Sequence, residues 1–437
     1  MITAEYTLPG VHVRDHASDV PLDWADPGKA TIQVFARELV DPERRGEDLP
    51  FLTYLQGGPG GKSPRPTARS GWIAEALKTH RVVLLDQRGT GRSTPVDGAV
   101  MTALGGAEAG AAHLAHFLAD SVVADAEHLR KTEFGGRPWT TLGQSYGGFL
   151  TLAYLSRAPE GLHACLVTGG LASVTPDASE VYRHTYPRVE EKNRLFRERY
   201  PQDVEVVARV ADRLAQGDVT LPDGDVLTVR RLQTLGLDFG MKPGYERMHW
   251  LFDEAFPEGG GPGRGDRLTD TFLAGVRDRT AFDTNPLFAA LQESIYASGA
   301  NGPTAWAADR ERAARPQFGE DARPLLFTGE MMYPWMFEEI RALRPFRPAV
   351  ELLAAREEWP VLYDLDQLAA NEVPVEAAVY FDDMYVDPGL QLETVSRVGN
   401  AHAWVTNEYE HDGLHEGDHV FTRLTGLLKD RGCFGGA

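Results

Sequence analysis

One hexapeptide in this chain has the residue types and spacing for covalent catalysis: Gly143-Gln144-Ser145-Tyr146-Gly147-Gly148. A strand-like Trp139-Thr140-Thr141-Leu142 leads into it, and a helix-like stretch from Phe149 to Ser156 leads out. G-x-S-x-G between a strand and a helix is the pattern of a nucleophile elbow, a sharp turn that holds a serine hydroxyl above a sheet. Glycine at both ends lets strained backbone segments pass close together. The bare pattern arises by chance in a chain with 45 glycines, so the strand-turn-helix frame gives it its weight. A serine hydroxyl also needs a base to activate it and an acid to orient that base.

In this type of site the partners follow the serine in the order acid, then histidine. The strand-like run Val375-Glu376-Ala377-Ala378-Val379-Tyr380-Phe381 is followed by Asp382, Asp383 and Asp387. An acid just past that strand would project at the carboxyl edge of the sheet. Asp383 is preferred because it falls where the turn leaves the strand, with Asp382 next. At least one of the three fits a solvated acidic turn. His411 lies past the last strand-like run, Ala403-Trp404-Val405-Thr406. His402 precedes that run, and His415 and His419 fall within or before the terminal helix. The expected set is therefore Ser145, Asp383 and His411. An oxyanion would need backbone N–H donors, one from Tyr146 and one from Gly57-Gly58-Pro59-Gly60, where Gly58 is preferred.

These groups need a frame, and the first 170 residues provide its grammar. Thr31 to Val40 and Phe51 to Leu55 read as strands, and a helix-like Trp72 to Lys78 follows. Arg81-Val82-Val83-Leu84-Leu85 has the continuous apolar character of a parallel strand buried on both faces. Leu114 to Lys131 reads as a helix, and Ala164 to Thr168 as one more strand. This alternation is α/β in character. From about Leu171 to about Asn371 the pattern becomes mainly helical and rich in Arg, Glu and aromatics. Strand patterning then returns, and a helix from Val420 to Lys429 closes the chain. The expectation is an α/β-hydrolase fold: a mostly parallel sheet flanked by helices, with residues 1–171 and 372–437 as the catalytic domain. Residues 172–371 form a large helical cap inserted before the strand that carries the acid.

Composition narrows the function class. The 437 residues are 42% hydrophobic and 25% charged, as in ordinary globular proteins. No apolar run approaches membrane-spanning length, and the opening residues lack the character of a signal peptide, so the cytoplasm is expected. Two cysteines cannot form a disulfide framework or a multi-thiolate metal site. A net charge of −20 argues against nucleic acid or an anionic membrane as partner.

Three other patterns are set aside. Gly57-Gly58-Pro59-Gly60-Gly61-Lys62-Ser63 is one residue short of a phosphate loop, and Pro59 removes an N–H the loop would use. His411, His415 and His419 are four apart, but Gly413 and Gly417 oppose the continuous helix a metal site would need. No metal or other cofactor is expected. The glycine-rich Glu258 to Gly265 reads as a mobile surface loop.

Gly57-Gly58-Pro59-Gly60-Gly61, Asp86-Gln87-Arg88-Gly89-Thr90-Gly91-Arg92-Ser93 and the elbow occur in order at suitable spacing. On these motifs the chain resembles the proline iminopeptidase (prolyl aminopeptidase) family of α/β-hydrolase serine peptidases, in its longer form. The resemblance is sharpest before residue 171. It departs from shorter members at Gln56, where histidine is usual, and at Tyr380-Phe381-Asp382-Asp383, which replaces Gly-Arg-Tyr-Asp. The resemblance implies short peptides with N-terminal proline as substrates and acidic cap residues that bind the substrate amine. Glu293 best matches that role, with Glu330 second and Glu254 third; the alternative for each is a solvated helix face or a surface ion pair. Tyr296, Trp335 and Phe337 fit either a proline pocket or ordinary packing. Another α/β-hydrolase esterase or amidase, or a silent binding protein on the same fold, are the competing readings, and the oligomeric state is left open.

Overall fold

The computed structural model describes residues 1–257, 265–299 and 301–433. Most of the glycine-rich Glu258 to Gly265 segment lies outside the described residues. Nine strands among them form one sheet in the order β1-β2-β3-β5-β4-β6-β7-β8-β9. The strands are β1 (Ile2–Leu8), β2 (Val11–Pro21), β3 (Thr31–Val40), β4 (Phe51–Leu55) and β5 (Arg81–Asp86), then β6 (Trp139–Gln144), β7 (Leu162–Thr168), β8 (Val375–Tyr380) and β9 (Ala401–Thr406). β1, β2, β3 and β5 pair antiparallel, and every pairing among β4 to β9 is parallel. This is the α/β-hydrolase architecture expected from the sequence.

Parallel strands buried on both faces divide their side chains between two cores. In β5, Val82 and Leu84 join one apolar cluster while Val83 and Leu85 join the other. The first cluster is closed by the helices Gly71–Ala76 and His419–Asp430. The second is closed by Ala119–Thr132 and Tyr146–Arg157 and continues without a break into the residues between β7 and β8. Among its described residues, that long stretch adds no strand to the sheet and holds a succession of helices, of which Ala178–Arg199 is the longest. Among the described residues, no helix is long and apolar enough to cross a membrane.

Two features differ from the sequence reading. The hairpin β1–β2 was not foreseen, because β2 buries His12, Asp15 and His16 and so lacks apolar alternation. Asp15 is paired with Arg37, and His16 Nε2 is hydrogen-bonded to Glu38 at 3.0 Å, so these groups find partners on the neighbouring strand. The single helix expected from Leu114 to Lys131 is divided into Ala107–Leu114, a short 3-10 turn, and Ala119–Thr132. The break has a cause in Arg88, whose buried guanidinium donates to the His116 carbonyl at 2.8 Å. A continuous helix would have used that carbonyl internally.

Candidate active site

Ser145 sits between the end of β6 and the start of Tyr146–Arg157 with φ 55° and ψ −123°, a conformation L-residues rarely adopt. The flanking glycines make it possible. A Cβ on Gly147 would lie 1.9 Å from the Leu55 carbonyl oxygen, and one on Gly148 would lie 2.2 Å from that of Gly170. The turn is fastened by Ser145 N–H donating to Thr168 O at 3.0 Å and Gly148 N–H donating to Ser145 O at 2.7 Å. Ser145 is 8% exposed, so the residue is largely shielded from solvent.

Past β8, the structure separates the three candidate acids. Asp383 is fully buried and accepts from the backbone N–H groups of Tyr385 (2.8 Å) and Val386 (3.0 Å) through Oδ1. Its Oδ2 lies 2.7 Å from His411 Nδ1. Asp382, one residue earlier, is exposed. Asp387 caps the helix Pro388–Arg397 and pairs with Arg188. Of the three, only Asp383 is hydrogen-bonded to the histidine.

His411 is 4% exposed, and its ring meets Tyr385 edge-on at 4.8 Å. Burial alone would lower its pKa. Asp383 outweighs this by charge and hydrogen bond, and Glu330 and Asp412 add to it, so the net shift is upward. With Nδ1–H donated to a carboxylate, Nε2 is the nitrogen left to accept a proton. The segment after β7 joins this pair to the elbow. Thr168 binds Ser145, and a Cβ on Gly169 would lie 3.2 Å from both Asp383 Oδ2 and His411 Nδ1. All three groups therefore border the carboxyl end of β7.

The oxyanion loop follows β4. A Cβ on Gly57 would lie 2.8 Å from Ser145 Cβ, so this backbone runs directly against the serine, and Gly58 follows with φ 65°. The first-turn N–H of Tyr146 has no acceptor within its own helix and is free to serve a ligand. The Asp86-to-Ser93 motif is the support. Asp86 accepts from Ser63 N–H (3.1 Å) and Arg92 N–H (2.9 Å), and Gln87 Nε2 donates to Gln56 O at 2.8 Å, just before Gly57. Arg88 forms a buried ion pair with Asp125 at 2.6 Å. The sequence showed this motif but not which of its residues reaches the oxyanion loop.

Glu293 and Glu330 come from different parts of the inter-strand segment. The short helix Pro286–Leu291 packs over the oxyanion loop, where Leu287 fills the space beside Gly60, and leads into Glu293. Glu293 Oε2 accepts from Ala307 N–H at 3.1 Å and Oε1 from Ala308 N–H at 2.9 Å. Burial pushes its pKa up to about 7 against those bonds. Glu330 is half-buried and follows Gly329, which packs against Val189 and Met384, the neighbour of Asp383. Its pKa is also pushed up to about 7, chiefly by burial; His411 opposes the rise and Asp383 adds to it. Among the described residues, neither glutamate forms an ion pair with Lys or Arg.

The structure brings Tyr296 to this cluster. Both Glu330 and Glu293 act on its hydroxyl, whose pKa is driven well above the ordinary value mainly by burial. Tyr182, which the sequence did not single out, meets Tyr296 edge-on at 6.1 Å and feels both glutamates. Trp335 instead stacks on Tyr333, and Phe337 packs on Trp306. Glu254 is exposed at the end of the helix Gly244–Asp253.

Comparison with known proteins agrees with this geometry. Residues 50–210 match the α/β hydrolase fold family. A proline iminopeptidase of Aeromonas sobria is 45% identical over 428 residues, covering 97% of this chain and 98% of that protein. One of Aspergillus aculeatus is 32% identical over 434 residues, covering 94% of this chain and 93% of its own length. With identity extending through sheet and inter-strand segment alike, the chain belongs to the proline iminopeptidase family of α/β-hydrolases.

Proposed function

We propose that this protein is a serine prolyl aminopeptidase that releases N-terminal proline from short peptides. Ser145 Oγ attacks the prolyl carbonyl while His411 Nε2 takes its proton, and Asp383 holds the imidazole and stabilises its cation. The N–H groups of Gly58 and Tyr146 bind the oxyanion. His411 then gives the proton to the departing peptide amine, leaving prolyl-Ser145, and water activated by the same base completes the cycle.

The observation that carries this reading is Glu330. Among the described residues its carboxyl forms no ion pair with Lys or Arg, and burial pushes it up to about 7 with His411 opposing the rise and Asp383 adding to it. A cationic amine delivered there would restore the charge balance that burial has disturbed. Glu293 would take the second N–H of the prolyl ammonium. Holding the amine at a fixed distance from Ser145 admits one residue before the scissile bond, which makes an exopeptidase. Residues 172–371 would then be a cap that supplies the amine site, inserted in a catalytic domain of residues 1–171 and 372–437. Support for this division comes from the direct pairing of β7 with β8 across the insertion.

The test compares proline arylamide, other amino-acid arylamides and neutral esters. Proline arylamide is expected to be the preferred substrate. Ser145→Ala is expected to reduce its turnover roughly 10⁴- to 10⁶-fold. Turnover near that of the unaltered chain would end the reading.

A further inference from the structure

The helix Ala178–Arg199 belongs to the inter-strand segment, yet one of its faces grips the loops that carry the acid and the base. Arg188 and Lys192 are four residues apart, so they project from the same side. Arg188 Nη1 donates to Phe381 O at 3.2 Å and Nε is paired with Asp387, so this side chain ties both ends of the turn that contains Asp383. Lys192 Nζ lies 2.6 Å from each carboxylate oxygen of Glu410, the residue before His411. Lys192 is 3% exposed, which makes this a largely desolvated pair.

Such pairs are poor sources of stability, because removing both charges from water offsets much of their attraction. Glu410 illustrates the tension. Burial raises its pKa, Lys192 opposes the rise by charge and hydrogen bond, and Asp382 and Asp383 push it further up. The lysine is what favours a charged carboxylate at that point. Other bonds join the same two regions, two of them at the histidine loop and one at the turn that carries Asp383. His411 N–H donates to Gly240 O at 3.0 Å, Lys242 N–H donates to Asp412 Oδ1 at 3.2 Å, and the Tyr385 hydroxyl donates to Leu237 O.

We propose that Lys192, seconded by Arg188, is a positioning residue for the reaction: through Glu410 it fixes the loop that sets the His411 ring between Asp383 and Ser145. The proposal rests on the serine-hydrolase reading given above. Neither side chain touches the reacting atoms; the effect passes through the position of the base. Misplacing a catalytic group by about 1 Å can cost on the order of 100-fold in rate.

The test uses the full chain, with rates normalised to sites titrated by a fluorophosphonate probe. Lys192→Met keeps the length of the side chain and removes its charge. Its kcat on proline arylamide is expected to fall about 10- to 100-fold while KM stays within about threefold. Glu410→Gln, and the two changes together, should each give the same loss, because each breaks the same brace. Lys192→Arg, which keeps the charge, should recover most of the rate. A kcat within about twofold of the unaltered chain, a loss confined to KM, or additive losses in the double variant would overturn the proposal. Should Lys192→Met fail to fold, Glu410→Gln carries the same expectation and the same refutation. Failure of the unaltered chain to label at Ser145 would overturn the serine reading and this proposal with it. Labelling with an unchanged kcat in the variants would overturn this proposal alone.

Discussion

The elbow and the two glutamates, Glu293 and Glu330, are built by opposite means. At the elbow, backbone is pressed on backbone: the places where Cβ atoms would stand on Gly147 and Gly148 are taken by the carbonyls of Leu55 and Gly170. At Glu293 and Glu330, carboxyls that form no ion pair with Lys or Arg among the described residues are pushed up to about 7 by burial, against the pull of Arg310 on the first and His411 on the second. The first arrangement is rigid and complete in the free protein. The second stores an electrostatic imbalance that a cationic substrate would relieve. In the proposed reading the elbow would supply chemistry to any acyl substrate that reaches it, and the glutamates would decide which substrate does.

That contrast can be broken by measurement. Asp383→Asn belongs to the chemical side and is expected to lower kcat about 10⁴-fold, through loss of the correct imidazole tautomer. The loss should be equal on proline arylamide and on a neutral ester, and unequal losses would show that the two sides are not separable. Glu330→Gln belongs to the selective side. It is expected to cost about 100-fold in kcat/KM on proline arylamide, the worth of a buried charge-assisted hydrogen bond, and several-fold at most on the ester. Similar losses on both substrates would move Glu330 out of the amine role.

The pH dependence sharpens the same distinction. The glutamates titrate near 7, and their protonated forms offer an ammonium no opposite charge. His411, also shifted upward, is unable to act as a base once protonated. As pH falls through about 7, kcat/KM for proline arylamide should therefore drop more steeply than for the ester, whose acid limb reports the histidine alone. Glu330→Gln should flatten the arylamide limb towards that of the ester; parallel limbs in the unaltered chain would count against the division. The smallest effect is expected at Asp382, which is exposed, where Asp382→Asn should leave kcat within about twofold.

The same contrast explains what was legible in the sequence. Backbone-built features leave a local record, because close approach demands glycine at fixed offsets. Gly143, Gly147 and Gly148 identify the elbow, and Gly57 and Gly58 identify the loop beside it. The strands β4 to β7 announce themselves as apolar runs between glycine-rich turns. Asp383 and His411 were found from chain order, but choosing Asp383 over Asp382 on geometry required the 2.7 Å bond that only the fold provides. Side-chain partnerships across long separations leave no such record. Nothing near Lys192 points to Glu410, and nothing in β2 shows that its buried Asp15 and His16 find partners on β3. The kink at His116 was hidden for the same reason, since its cause is an arginine on a different element. Tyr182 was overlooked because an aromatic in a helix reads first as packing.

The hydrogen bond from His411 N–H to Gly240 O has a consequence for how the protein fails. The apolar cluster beneath the elbow runs unbroken from the sheet into the inter-strand helices, so the two are expected to loosen together. If Gly240 and Lys192 withdrew, the loop that carries His411 would lose its bonds to the helical segment. Activity and sheet structure are therefore expected to be lost over one temperature range. An activity midpoint well below the circular-dichroism midpoint would show that the helical segment opens first.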